Sequence, residues 1–180
     1  MTPMKRSAWI ALCVVVLLGL VAWLVLRPTS ENVAMDFIAL YDSAAEKRPE
    51  GDIFSVADVT LAGDTKRAIL AKESTRIGWD ITVPNNAWLH VSAGLQESAW
   101  TTSGDGVVFR VSINDDELLN VVVNPYRDQS HRRWQDFALD LSEFAGEDVR
   151  LFLKTNTSVP GRNNADGDLP VWGYPRLVTK

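Results

Sequence analysis

The sequence holds one cysteine and two histidines in 180 residues. One cysteine excludes a disulfide within the chain and a cysteine-based metal site. That residue, Cys13, lies inside an apolar run and reads as a small apolar filler. His90 and His131 stand far apart, which leaves little material for a histidine-based nucleophilic triad. Gly-x-Ser-x-Gly, HExxH, P-loop and dinucleotide motifs are absent. A carboxylate pair for glycoside hydrolysis does not stand out among the 23 acids. The chain therefore reads as a non-enzyme. There is also no excess of basic charge. Of 18 basic residues only Lys5, Arg6 and Arg27 precede Pro28, and all the acids follow it, so the remainder carries -8 against -5 for the whole chain. An acidic body argues against nucleic acid and against adhesion to anionic lipid. No repeat, low-complexity tract or second globular domain is visible.

What is present begins with residues 8–26, AWIALCVVVLLGLVAWLVL, a run without charge, amide or proline. As a helix it would span about 28 Å, close to the ~30 Å hydrocarbon core of a bilayer. The sequence predicts a retained single-pass transmembrane helix. Residues 1–7 form a basic tag, so the positive-inside rule places the N-terminus in the cytoplasm and the rest in the periplasm or outside the cell. The expected location is the inner (cytoplasmic) membrane. Trp9 and Trp23 sit near the ends of the run, where indoles favour the headgroup boundary.

Residues 27–52 form a membrane-proximal segment. Ser30 is a plausible N-cap, and Val33, Ala34, Phe37, Ile38 and Tyr41 recur at helical spacing. This predicts a short amphipathic helix reaching about Glu46, before Pro49-Glu50-Gly51-Asp52 breaks the chain.

From Ile53 the period changes to two. Ile77, Trp79, Ile81 and Val83 alternate with polar or small residues, as do Leu89, Val91, Ala93 and Leu95, then Val107, Phe109, Val111 and Ile113. Shorter runs of the same kind cover residues 53–61, 68–71, 118–123, 137–141, 149–153 and 171–178, with turn residues between them. The expected fold is mainly β: an antiparallel β-sandwich, or jelly roll, over residues 53–180, preceded by one transmembrane helix and one short amphipathic helix.

Several stretches carry a family likeness over about residues 68–178. They are Trp79-Asp80-Ile81-Thr82-Val83-Pro84, Gly104-Asp105-Gly106-Val107-x-Phe109 and Trp134-x-Asp136 leading to Asp140-Leu141-Ser142. Phe144-Ala145-Gly146 before Val149-x-Leu151-x-Leu153-x-Thr155, and Trp172-Gly173-x-Pro175, complete the set. With these the chain resembles the galactose-binding-domain-like jelly rolls, and among them the NPCBM-like carbohydrate-binding group. The resemblance implies the sandwich. Some such domains bind sugars, some a structural calcium, and others decorate larger assemblies.

The candidate ligand residues are Trp100, Thr101, Thr102 and Asp105. A flat indole beside hydroxyls suits a sugar ring, whose CH face stacks on an aromatic while polar groups orient it. The competing reading packs Trp100 over an open end of the sandwich and makes Asp105 a turn residue. No cofactor is expected, although Asn163, Asn164, Asp166 and Asp168 offer hard oxygen ligands that could hold a structural calcium; the competing reading is an ordinary polar loop. For partner contact the sequence offers Trp9, Trp23, Phe37, Tyr126, Arg132 and Arg133. The last three belong to a basic and aromatic cluster, with Arg127 and His131, in an otherwise acidic body. Trp79, Trp88, Trp134 and Trp172 read as packing residues.

Two functions follow, the first being the expected one and the second its alternative. The short tether favours an accessory subunit of a respiratory, photosynthetic or transport complex, held by an integral membrane partner. The resemblance favours a membrane-tethered module that recognises envelope glycan.

Overall fold

The computed structural model describes residues 31–157 and 168–179. The tag, the apolar run with Trp9 and Trp23, and Asn163, Asn164 and Asp166 lie outside them. Among the described residues, no helix is long and apolar enough to cross a membrane.

The strands, in order, are β1 (Asn32–Asp36), β2 (Glu46–Arg48), β3 (Phe54–Leu61), β4 (Asp64–Ala71), β5 (Thr75–Thr82) and β6 (Ala87–Leu95). They continue as β7 (Val107–Ile113), β8 (Asp116–Val123), β9 (Gln135–Asp140), β10 (Asp148–Asn156) and β11 (Pro170–Thr179). They form two antiparallel sheets. One runs β3-β4-β11-β6-β9, with β1 added to β11; the other runs β2-β5-β10-β7-β8. The period-two stretches put alternate residues on one face, so Leu89, Val91 and Ala93 of one sheet meet Ile77, Phe109, Val111 and Leu151 of the other. Trp172 and Phe109 meet edge to face across the core, with centroids 4.9 Å apart.

The amphipathic helix expected between residues 30 and 46 is not formed over the described part of that segment. Asn32–Asp36 is a strand paired with β11, and Glu46–Arg48 a strand paired with β5. The reason lies in β11, whose second half would otherwise present an open edge; pairing satisfies the backbone groups of both segments. Asp36 then turns the chain. Its carboxylate accepts hydrogen bonds from the backbone N–H groups of Ile38 (2.8 Å) and Ala39 (3.3 Å). The apolar residues at helical spacing are still packed against the core, but through this turn: Phe37 is fully buried, 4.8 Å from the Trp79 ring.

β4 starts at Asp64, four residues before the expected Ala68. The longer strand brings Lys66 and Asp64 to the outer face of the six-stranded sheet, the face of Ala68. There a small second apolar cluster forms from Val59, Leu61, Ala68 and Val171 under the Trp134 indole, with Leu70 and Trp100 packed against it. A β-carbon on Gly173 would stand 2.7 Å from the Trp134 ring, so only glycine lets the indole lie there.

Candidate functional site

β11 changes partner along its length. Residues 171–173 pair with β4, and residues 176–179 pair with β1. At the switch, pairing with β6 also breaks register between Gly173 and Arg176. Tyr174 sits in this bulge with φ 42, a backbone region that bulky residues rarely occupy. The bulge turns its ring outward, where it is 39% exposed, and Arg176 lies 4.3 Å from the ring centroid.

A groove of about 700 Å³ runs from this ring across the outer face of the sheet. Thr65, Lys66, His90, Ser92 and Asp136 line it. Lys66 Nζ donates to Ser92 Oγ at 2.8 Å and to the Asp136 carboxylate. Ser92 Oγ donates to Asp136 Oδ1. His90 Nδ1 is 3.7 Å from Glu31 Oε2, while its Nε2 is buried with no hydrogen-bond partner among the described residues. A serine against a lysine is also a nucleophile–base pairing. Here, however, the Lys66 ammonium faces Asp136 and, at 3.7 Å, Asp64, so it acts as a donor, and Ser92 is buried.

Partial burial would raise the Asp136 carboxyl, but hydrogen bonds from Lys66 and Ser92 and the charges of Lys66 and Arg133 outweigh it and hold it below the ordinary carboxylate range. A depressed carboxyl contributes stability that is present above its unfolded value, about 3.9, and lost as pH falls through the folded value. Asp136→Asn should therefore melt below wild type at pH 7, and the gap should close on acidification. Melting curves across pH measure this; a gap that does not change with pH would show that the network carries no charge-dependent stability.

The sequence-derived candidates lie elsewhere. Trp100 is half-buried against the second cluster, and its indole N–H donates to the Leu95 carbonyl at 2.9 Å. Thr101 is exposed, Thr102 half-buried and Asp105 buried. Asp168, the only described member of the calcium set, is buried just before β11. Among the described residues no three His, Cys, Asp or Glu side chains gather as a metal site would need. Phe37 is a core residue, 0% exposed. In the basic cluster, Tyr126 is exposed, but Arg132 donates to the carbonyls of Pro125 (2.9 Å) and Trp100 (3.3 Å), which ties two loops together. His131 Nδ1 accepts from the Asn124 N–H. Trp79, Trp134 and Trp172 are buried, as expected of packing residues, and Trp88 is half-buried.

Sequence reasoning missed Tyr174, Lys66 and Asp136. Tyr174 lay inside the quoted Trp172-Gly173-x-Pro175 stretch, but nothing in a linear pattern marks where a strand changes partner.

The chain matches no family model. It is 38% identical over 104 residues to an uncharacterized protein of Archaeoglobus fulgidus, and spans about a quarter (25%) of that relative's length. Among solved structures, it is similar to the Clostridium perfringens ZmpB M60 catalytic domain with its CBM51-1 and CBM51-2 domains. That match has a TM-score of 0.59 and 14% identity, and covers 83% of this chain and 15% of that one. A second is CBM51 from Clostridium perfringens GH95 in complex with methyl-galactose, at TM-score 0.54 and 10% identity, covering 74% and 93% of the two chains. A third is TmCBM61 in complex with β-1,4-galactotriose, at TM-score 0.51 and 11% identity, covering 82% and 100%. At such identities the likeness is one of fold: this chain has a two-sheet antiparallel β-sandwich similar to those of these carbohydrate-binding modules.

Proposed function

We propose that the domain from Glu31 onward is a non-catalytic carbohydrate-binding module that holds a glycan in the groove beside Tyr174. The observation that carries this reading is the outward-turned Tyr174 ring, held at φ 42 beside converging donors and acceptors. An aromatic face stacks on the CH side of a sugar. Lys66, Asp136, His90 and Ser92 supply the mixed donors and acceptors that hydroxyl groups need. The fold likeness to modules solved with methyl-galactose and galactotriose supports this reading over an accessory subunit. With residues 8–26 as a membrane anchor, the module would act at the outer face of the cytoplasmic membrane.

Calorimetric titration of the full-length chain with galactosides and a wider neutral-glycan panel tests the proposal. Tyr174→Ala should weaken binding at least about tenfold, ~1.4 kcal/mol, with an unchanged melting temperature. Wild-type binding to no glycan, together with co-migration with a large membrane complex, would replace this reading with that of a subunit.

A further inference from the structure

The opposite sheet carries a second feature, independent of the Tyr174 groove. Strand register aligns four cations in one row across four neighbouring strands. Arg48 of β2 faces Arg76 of β5, Arg76 faces Lys154 of β10, and Lys154 faces Arg110 of β7. Residues directly opposite share a face, so all four lie on the outer surface. Three interstrand steps of about 4.8 Å make the row roughly 14 Å long.

Like charges placed opposite one another repel and destabilise a sheet. The adjacent row shows how the repulsion is managed. It reads Glu46, Gly78, Phe152, Ser112 and Glu117 across the same sheet. Its acids lie to either side of Lys154: Glu46 accepts from Arg76 Nε at 2.8 Å and lies 3.9 Å from Arg48 Nε, and Glu117 Oε2 lies 3.4 Å from Arg110 Nε. In the middle, Lys154 has no carboxylate within ion-pair distance among the described residues, and its Nζ stands 4.9 Å from the Phe152 ring centroid. Phe152 lies over Gly78, where any β-carbon would meet its ring at 2.6 Å. The aromatic floor thus holds Lys154 and Arg76 beside each other. Burial first, then the charges of Arg76 and Arg110, push the Lys154 amine down and outweigh Glu117 and Asp115, which act the other way.

A groove of about 670 Å³ follows the row, lined also by Ser74, Thr75, Thr155 and Asn156 and by no carboxylate. The three guanidinium side chains are 63, 47 and 37% exposed for Arg48, Arg76 and Arg110, so they are open to a ligand. We infer that this row binds an anionic polysaccharide, its carboxylate or sulfate groups bridging Lys154 and the flanking arginines. A thin chain can follow a straight row, whereas the acidic remainder of the body would repel a flat anionic membrane or a nucleic acid duplex. Guanidinium groups suit planar carboxylate and sulfate groups through paired hydrogen bonds.

The test is binding of full-length protein to polygalacturonate and to dextran sulfate, with uncharged dextran as control, over a range of salt. Wild type should bind both polyanions, more weakly as salt rises. Lys154→Gln combined with Arg110→Gln should lose at least about tenfold in affinity. Arg48→Gln, at the exposed end of the row, should lose less and serves if the double variant fails to fold. Lys72→Gln, off the row and the same change of charge as Arg48→Gln, should change nothing. Tyr174→Ala should keep polyanion binding intact, which separates this inference from the neutral-glycan reading. Failure of wild type to bind either polyanion overturns it. So does equal loss in Lys72→Gln, or binding to phosphatidylglycerol vesicles without binding to the polysaccharides.

Discussion

Trp79→Ala should lower the stability of the domain by about 3–5 kcal/mol, the range for removing a large aromatic from a packed core. Trp79 is 2% exposed on the inner face of β5. Its ring meets Phe37, and its indole N–H donates to the Leu40 carbonyl at 2.9 Å. The side chain therefore joins the turn after β1 to the sandwich core. Truncation removes the buried area and one of the hydrogen bonds to the Leu40 carbonyl, which keeps those from the Ser43 N–H (3.1 Å) and hydroxyl (3.0 Å). Trp79→Phe keeps most of the volume and loses the hydrogen bond, so it should cost nearer 1 kcal/mol. Urea unfolding followed by circular dichroism measures both. Equal losses in the two variants would show that the Leu40 contact, rather than packing, dominates. No loss in either would show that residues 37–41 do not belong to the core.

Gly106→Ala should be nearly as damaging, for a different reason. Gly106 has φ +87, which costs an alanine about 1–2 kcal/mol. Its β-carbon would also stand 2.6 Å from the Val123 carbonyl oxygen and 2.7 Å from Asn124 Cβ. Backbone atoms on the partner strand cannot swing aside as a long side chain can. Asn124 is moreover the junction of the loops at this end of the sandwich. It donates to the Gly104 carbonyl, accepts from the Arg127 N–H, and gives its own N–H to His131. Gly146 provides the control, with φ +81 and nothing within 4 Å of a β-carbon. Gly146→Ala should show the conformational cost alone. The difference between the two midpoints, measured by thermal unfolding, isolates the steric part. Equal midpoints would mean that β7 and β8 separate freely at Val123.

Much of the sandwich was legible from the chain because period-two alternation records burial directly. Each of the nine stretches expected to be strands is one, and the turn residues between them fall at the observed breaks. The two strands that pattern reading missed, β1 and β2, are short and exist through their partners. Val33, Phe37 and Tyr41 carry a helical period, yet pairing with β11 and the Asp36 turn outweigh a local preference of a few tenths of a kcal/mol per residue. The Trp100 platform shows a related limit. An indole among hydroxyls looks open in sequence, but an apolar cluster on the outer face of the sheet supplies a surface for it to pack on.

The sequence by itself determined the alternating β domain, the acidic balance of residues 28–180, the scarcity of cysteine and histidine, and the uncharged apolar run of residues 8–26. These are properties of composition and of periods a few residues long. Only the tertiary structure decided which polar groups meet. Tyr174 is turned outward because β11 changes partner beside it, and Lys66 reaches Ser92 and Asp136 from strands that are 26 and 70 residues away in sequence. Arg48, Arg76, Lys154 and Arg110 line up only because the registers of three strand pairs coincide. Register is set by how whole strands bury their apolar faces, so no local window of residues contains it.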